Sequence, residues 1–215
     1  MAEILIRRET ERDFREVEEL TRKAFWNIYV PGCAEHYLAH ILRGHEDFIS
    51  ELDFVAQTAG GKIVGSLMYT KAWLVDGNGS EKTILTFGPL SVHPEYQRRG
   101  ISRRLLEHSF GKAAELGYEA IVIMGNPANY VSRGFKSCKK YNVCMEDGSY
   151  PAAMLVKELA EGIFEDGRKW AYHGSRAYEF APDDAEAFDQ QFVPMEKGFC
   201  PSQEEFYILS HAVIK

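Results

Sequence analysis

Cysteine is scarce, and its spacing suits no metal. Cys33, Cys138, Cys144 and Cys200 form no CxxC pair and no metal-ligand rhythm, so reduced, packed thiols are expected, with neither a disulfide framework nor a zinc site. Long apolar runs are missing too. Nothing approaches the roughly 18–20 residues of a membrane span, and the opening stretch MAEILIRRETERDF has no apolar block of the secretory kind. A cytoplasmic chain without a membrane partner is therefore expected. Basic charge is not in excess: the formal net charge is −7, which argues against a nucleic-acid footprint built on clustered Lys and Arg. Absent as well are internal repeats, low-complexity tracts, a GxGxxG dinucleotide turn and a GxxxxGK[ST] phosphate loop.

What is present suffices for a folded core: 215 residues with 45% hydrophobic content. The charge is unevenly spread. Residues 1–157 hold 20 acidic and 20 basic side chains, whereas 158–215 hold 12 acidic and 5 basic. The chain thus reads as a neutral domain, 1–157, followed by an acidic extension, 158–215. Trp170, Tyr172, Tyr178, Phe180, Phe188, Phe192, Phe199, Phe206 and Tyr207 are too many aromatics for a disordered tail, so the extension is expected to fold and to pack on the domain. Its acids suit a cationic substrate or a merely solvated surface.

Alternation in EILIRRE predicts a first strand, and Thr10 with Asp13 caps a helix over FREVEELTRKAF. Pro31 and Gly32 end that region, and AEHYLAHILRG predicts a short second helix. A hairpin turning at Gly60–Gly61 covers DFVAQTAGGKIVGSLMYTKAWLV. In the next strand, TILTFGPLSV, Gly88 and Pro89 predict a bulge, because proline removes a ladder hydrogen bond and glycine weakens a strand. The helix RRGISRRLLEHSFGKAAELG and the apolar strand YEAIVIMG complete a crossover unit. NPANYVSRGF reads as a turn with a short helical segment, KKYNVCM and AAMLVKEL as strands, DDAEAFDQQF and SQEEFYILSHAV as helices.

The chemistry centres on VHPEYQRRGIS. A glycine turn opening a helix leaves several N–H groups pointing one way, the helix dipole adds positive charge, and the arginines reinforce it; the reading is a phosphate nest or a helix start with solvated arginines. Gln97-Arg98-Arg99-Gly100-Ile101-Ser102 resembles the Q/R-x-x-G-x-G/A pyrophosphate loop of the GCN5-related N-acetyltransferases, with Ser102 in the last small position. GNPANYVSRGF is similar to that family's tyrosine four residues before a Gly-Phe pair, here Tyr130 before Gly134-Phe135, and a variant among predicted bacterial N-acetyltransferases looks closer still.

The resemblance, covering about Glu3 to Lys157, implies the GNAT fold: a mixed α/β architecture with a central, mostly antiparallel twisted sheet splayed between the fourth and fifth strands and flanked by helices. It implies acetyl-CoA as cosubstrate, no metal, and a primary amine acceptor, either a small molecule or a peptide, attacking directly in a ternary complex. It leaves room for a homodimer. Leu90, Ser91 and Val92 are implied as main-chain contacts for pantetheine, Gln97, Arg98, Arg99, Gly100, Ile101, Ser102 and Arg103 as the pyrophosphate site, and Asn126 and Asn129 as partners of pantetheine amides. The resemblance also implies that the Leu90 N–H polarises the thioester carbonyl. Tyr130 is the implied general acid, with a phenol near pKa 10 facing a thiolate near 8.5, a nearly balanced transfer.

No general base is legible in TILTFGPLSV. Glu35, His36 and His40 fall in the region that shapes the acceptor site in this family; His36 stands as a base or as a packing residue. His36 and His40 are spaced as helical metal ligands can be, but no third ligand is in view. Phe25, Trp26 and Tyr29 form core or an aromatic wall. A second reading of the same resemblance is an acyl-CoA-binding regulatory module without turnover, and a third is a scaffold working through its acidic extension.

Overall fold

A computed structural model describes residues 4–215, so Glu3, at the start of the expected first strand, lies outside the described residues. Strands β1 (Ile4–Arg8), β2 (Phe54–Thr58), β3 (Ile63–Asp76) and β4 (Glu81–Val92) run antiparallel in sequence order. Helices α1 (Phe14–Phe25) and α2 (Glu35–Leu42) come between β1 and β2. Thr10 and Asp13 do form a reciprocal capping box, but around a short 3-10 turn (Glu11–Asp13) that leads into α1. Helix α3 (Ile101–Glu115) returns the chain to β5 (Ala120–Met124), which pairs parallel with β4 at Leu85 and Ile121. Beyond β5, α4 (Pro127–Tyr130) is one turn long, and β6 (Lys136–Ser137) and β8 (Met154–Glu158) extend the sheet in the order β5-β8-β6.

The strand expected over KKYNVCM is mostly a 3-10 turn, Cys138–Tyr141. Asn142 then takes a left-handed φ of 53°, and only β7 (Val143–Cys144) is extended. Alternation along the strands divides the core. Phe54, Ala56, Leu67 and Tyr69 pack with Ile101, Leu105 and Ala113 of α3, while Val55 and Ile63 face Val17 and Leu20 of α1, and Met68 faces Leu38 and Leu42 of α2. Helices α1 and α2 cover one face of the sheet, and α3 covers the other.

The segment after Glu158 joins this sheet. Strand β9 (Trp170–His173) pairs antiparallel with Trp73–Asp76 of β3, beyond the point where β2 stops, and parallel with β7. Trp170, Phe188 and Phe192 are buried. Helix α5 (Pro182–Asp189) is clamped to α1: Arg22 Nε and Nη2 donate to the two Asp189 carboxylate oxygens at 2.5 and 3.1 Å, and Arg22 Nη1 donates to the Val193 carbonyl at 2.9 Å. His36 Nε2 is 3.1 Å from Asp189. Helix α6 (Pro201–His211) buries none of its residues, and Phe206 rests on Tyr29 with ring centroids 4.6 Å apart.

Candidate active site

The register of β3 against β4 slips between Leu67–Leu90 and Tyr69–Phe87, so Gly88 and Pro89 together oppose Met68. This is the expected bulge. From Leu90 to Val92 the register is regular again, and His93 N–H donates to the Val64 carbonyl of β3 at 3.0 Å. Backbone groups of successive strand residues point to opposite edges. With His93 and Ser91 turned to β3, the N–H and C=O of Leu90 and Val92 therefore face away from it. There β4 and β5 share one paired position and then diverge, leaving an open V. Gln97 Nε2 reaches back to the Val92 carbonyl at 3.2 Å, as that orientation requires.

At the mouth of the V, Pro94–Tyr96 form a 3-10 turn, and two left-handed residues follow, Arg98 with φ 59° and Gly100 with φ 81°. Glycine takes that conformation at no steric cost, and its carbonyl already accepts from Arg104 N–H at 3.1 Å to start α3. The six backbone N–H groups from Arg98 to Arg103 find no acceptor among the described residues. Six unpaired donors in the turn that leads into a helix N-terminus have the chemistry that suits an anion. The Arg99 guanidinium stacks 5.1 Å from the centre of the Tyr96 ring.

Across the V, α4 starts at Asn126, whose Oδ1 accepts from Ala128 N–H at 3.0 Å, and ends at Tyr130. The Tyr130 ring lies against Phe87 and Phe135, with centroids 5.8 and 5.7 Å apart. A Cβ on Gly125 would stand 2.6 Å from Tyr130 Cε2, so only glycine there lets the ring take this position. Burial, with a smaller contribution from Tyr29, pushes the Tyr130 phenol above its ordinary value, so it stays a protonated donor at neutral pH.

One cleft of about 1200 Å³ joins these features. Of the residues singled out in the sequence, Leu90, Val92, Gln97 through Arg103, Asn129 and Tyr130 line it. Ser91 and Asn126 do not: Ser91 is buried, its hydroxyl donating to Thr21 of α1 at 2.9 Å, and Asn126 caps α4. Phe25 and Tyr29 line the cleft, whereas Trp26 turns its Nε1 to the Glu196 carbonyl at 2.8 Å. His36 is outside it, fully buried beside Asp189, and burial holds its imidazole down to about 4, with Asp189 acting in the opposite direction. His40 pairs with Glu18 at 2.8 Å, and no cluster of metal ligands occurs among the described residues.

Other lining residues were not singled out as site residues in the sequence. Thr86 and Phe87 precede the bulge, and Tyr172, Gly174, Ser175, Tyr178 and Glu179 come from the C-terminal segment. The cleft is electrically polarised: Arg98, Arg99 and Arg103 line the nest end, and the two lining carboxylates, Glu35 and Glu179, lie on the α2 side with no salt-bridge partner among the described residues. Desolvation raises the Glu35 carboxyl above its ordinary value, and one of its oxygens accepts from Ala34 N–H at 3.0 Å.

Comparison with known proteins matches residues 12–135 to the acetyltransferase (GNAT) family. The Escherichia coli K12 N-acetyltransferase YhbS is 29% identical over 158 residues, which span 74% of this chain and 89% of that protein. The structure of E. coli YhbS in complex with CoA superposes with a TM-score of 0.71 at 25% identity, covering 84% of this chain and 94% of that one. A GNAT family acetyltransferase from Brucella melitensis in complex with acetyl-CoA gives 0.64 at 20% identity, covering 83% and 100%. The chain belongs to the GNAT acetyltransferase family, and its sheet, splayed between β4 and β5, has that family's fold. No helix among the described residues is long and apolar enough to cross a membrane.

Proposed function

We propose that the chain transfers the acetyl group of acetyl-CoA to a primary amine by direct attack in a ternary complex. The observation that carries this reading is the joining, in one cleft, of an N–H nest, an unpaired strand edge and a protonated phenol. The nest at Arg98–Arg103 takes the pyrophosphate, with Gln97 bracing the loop against Val92. Pantetheine lies in the V as an added strand on Leu90 and Val92, and Asn129 meets its amides. The Leu90 N–H polarises the thioester carbonyl, and the neutral amine attacks it. As the C–N bond replaces the C–S bond, Tyr130 protonates the departing sulfur, while nitrogen gives up a proton to water and the phenol is reprotonated from solvent.

Residues 1–157 are proposed as the acetyltransferase domain and 158–215 as an acidic, aromatic extension packed on it; Tyr172 to Glu179 of the extension wall the acceptor side. The CoA and acetyl-CoA complexes of the two bacterial relatives support the choice of cosubstrate.

The test is thiol release from acetyl-CoA across a panel of small amines, polyamines, amino sugars and peptides. CoA release with at least one amine, matched by N-acetyl product in the mass spectrum, is the expected result. Binding of acetyl-CoA without release from any amine would reduce the protein to a binding module.

A further inference from the structure

The loop that places Tyr178 is held from several sides. The Ser175 hydroxyl donates to Asp47 Oδ2 at 2.7 Å and accepts from Ala177 N–H at 3.1 Å, and Ala177 is buried against Leu38, Ala39 and Met68. On this seat Tyr178 enters the cleft and donates its hydroxyl to the Gly88 carbonyl, 3.2 Å away and 90 residues earlier in the chain. Gly88 opens the bulge, and Leu90, whose N–H faces the V, comes two residues later. Proline at 89 withholds a ladder N–H there, so β3 alone grips this stretch weakly. The Tyr178 hydrogen bond supplies the missing hold. Burial keeps its phenol protonated, hence a donor.

Glu179 follows directly, and Glu35 lines the same side of the cleft from the start of α2. A primary amine reaches neutral solution as a cation, with a pKa near 10 for an alkylamine. Two acidic side chains without salt-bridge partners among the described residues, Glu179 exposed at the rim and Glu35 half-buried, attract such a group. Glu179 carries most of the pull, because desolvation works against charge on Glu35. We infer that Tyr178 is a positioning residue for acetyl transfer and the centre of an acceptor subsite built by the C-terminal segment, which, with Glu35 and Glu179, selects primary amines that arrive as cations. The inference rests on the acetyl transfer proposed above.

Tyr178→Phe keeps the ring and removes only the hydroxyl. It lowers kcat about tenfold, the scale of one well-placed hydrogen bond, with the KM and the thermal shift for acetyl-CoA unchanged. Glu179→Gln raises the KM for the best amine about threefold at low salt while keeping kcat, and the difference closes near roughly 0.5 M salt. If the wild type acetylates an amine and Tyr178→Phe matches its kcat, or Glu179→Gln keeps the wild-type KM at low salt, the inference is overturned and acetyl transfer stands. If the wild type releases CoA with no amine, the proposed function falls and the subsite with it.

Discussion

The two halves of the cleft are built by opposite means. The half proposed for the coenzyme is local: Leu90 through Arg103 form a short continuous stretch, Tyr130 follows one helix and one strand later, and the donors it offers are mostly main-chain N–H groups that need only a turn and a glycine. The half proposed for the acceptor is assembled from β4, α2 and a C-terminal segment that begins at β9; it is lined by side chains, and long-range pairs hold the segment in place, Tyr178–Gly88 within the cleft and Arg22–Asp189 outside it. The first half is positive, the second negative. A site made of backbone is written in a motif, whereas one made of distant side chains is written only in the fold.

The sharpest break between the halves comes from Gly100→Asp. A Cβ there meets nothing within 4 Å, and Asp tolerates a left-handed φ better than most residues, so the fold survives. A carboxylate now stands among six N–H donors, and the rise in Tm on adding acetyl-CoA should vanish; a wild-type shift would refute the nest. Next in size, Tyr130→Phe should lower kcat by roughly one to three orders of magnitude while leaving that shift intact. Unchanged kcat would make Tyr130 a packing residue.

The acceptor half should fail differently. Asp189→Asn leaves the buried Arg22 guanidinium without its counter-ion and should cost about 3 kcal/mol, lowering Tm by about 6–12 °C, while the acetyl-CoA shift persists. His36, in the same cluster, refines this. Its folded value of about 4 lies below the ordinary 6.5, so the fold favours neutral His36: that contribution is whole above pH 6.5 and erodes as pH falls toward about 4. Tm measured from pH 7 to 4.5 should therefore fall less steeply in His36→Asn than in the wild type. An equal slope would remove His36 from the acid sensitivity of this region.

Much of the fold was legible because its signals are local. The hairpin at Gly60–Gly61, the bulge at Gly88–Pro89 and α3, stopped by the left-handed Gly117 just beyond its end, all follow from residues close in sequence. So does the cradle at Gly100. KKYNVCM misled because a left-handed Asn142 separates Tyr141 from Val143 and Cys144, so the strand signal of these residues is split by a turn. Ser91 and Asn126 matched a pattern by position, but the main chain of Ser91 is turned to β3 and the side chain of Asn126 caps α4. Tyr178 carried no mark of its place in the cleft, since its partner is a carbonyl 90 residues away. The acidic balance of 158–215 pointed toward the cleft in sign only: Glu179 lines it, whereas Asp189 is spent on Arg22.

Strand β9 has a consequence beyond the cleft. By pairing with Trp73–Asp76 it occupies the edge of β3 that β2 leaves bare, a stretch that carries the apolar Leu74 and Val75. An uncovered edge of that kind offers its N–H and C=O groups to any neighbouring chain. The C-terminal segment is thus also a guard against self-association. A protein cut after Lys157 would lose solubility together with the cleft-lining residues from Tyr172 to Glu179, and an inactive truncation would report on sticky strands as much as on amine recognition. Only point changes such as those at Tyr178 and Glu179 keep the guard in place while questioning the site.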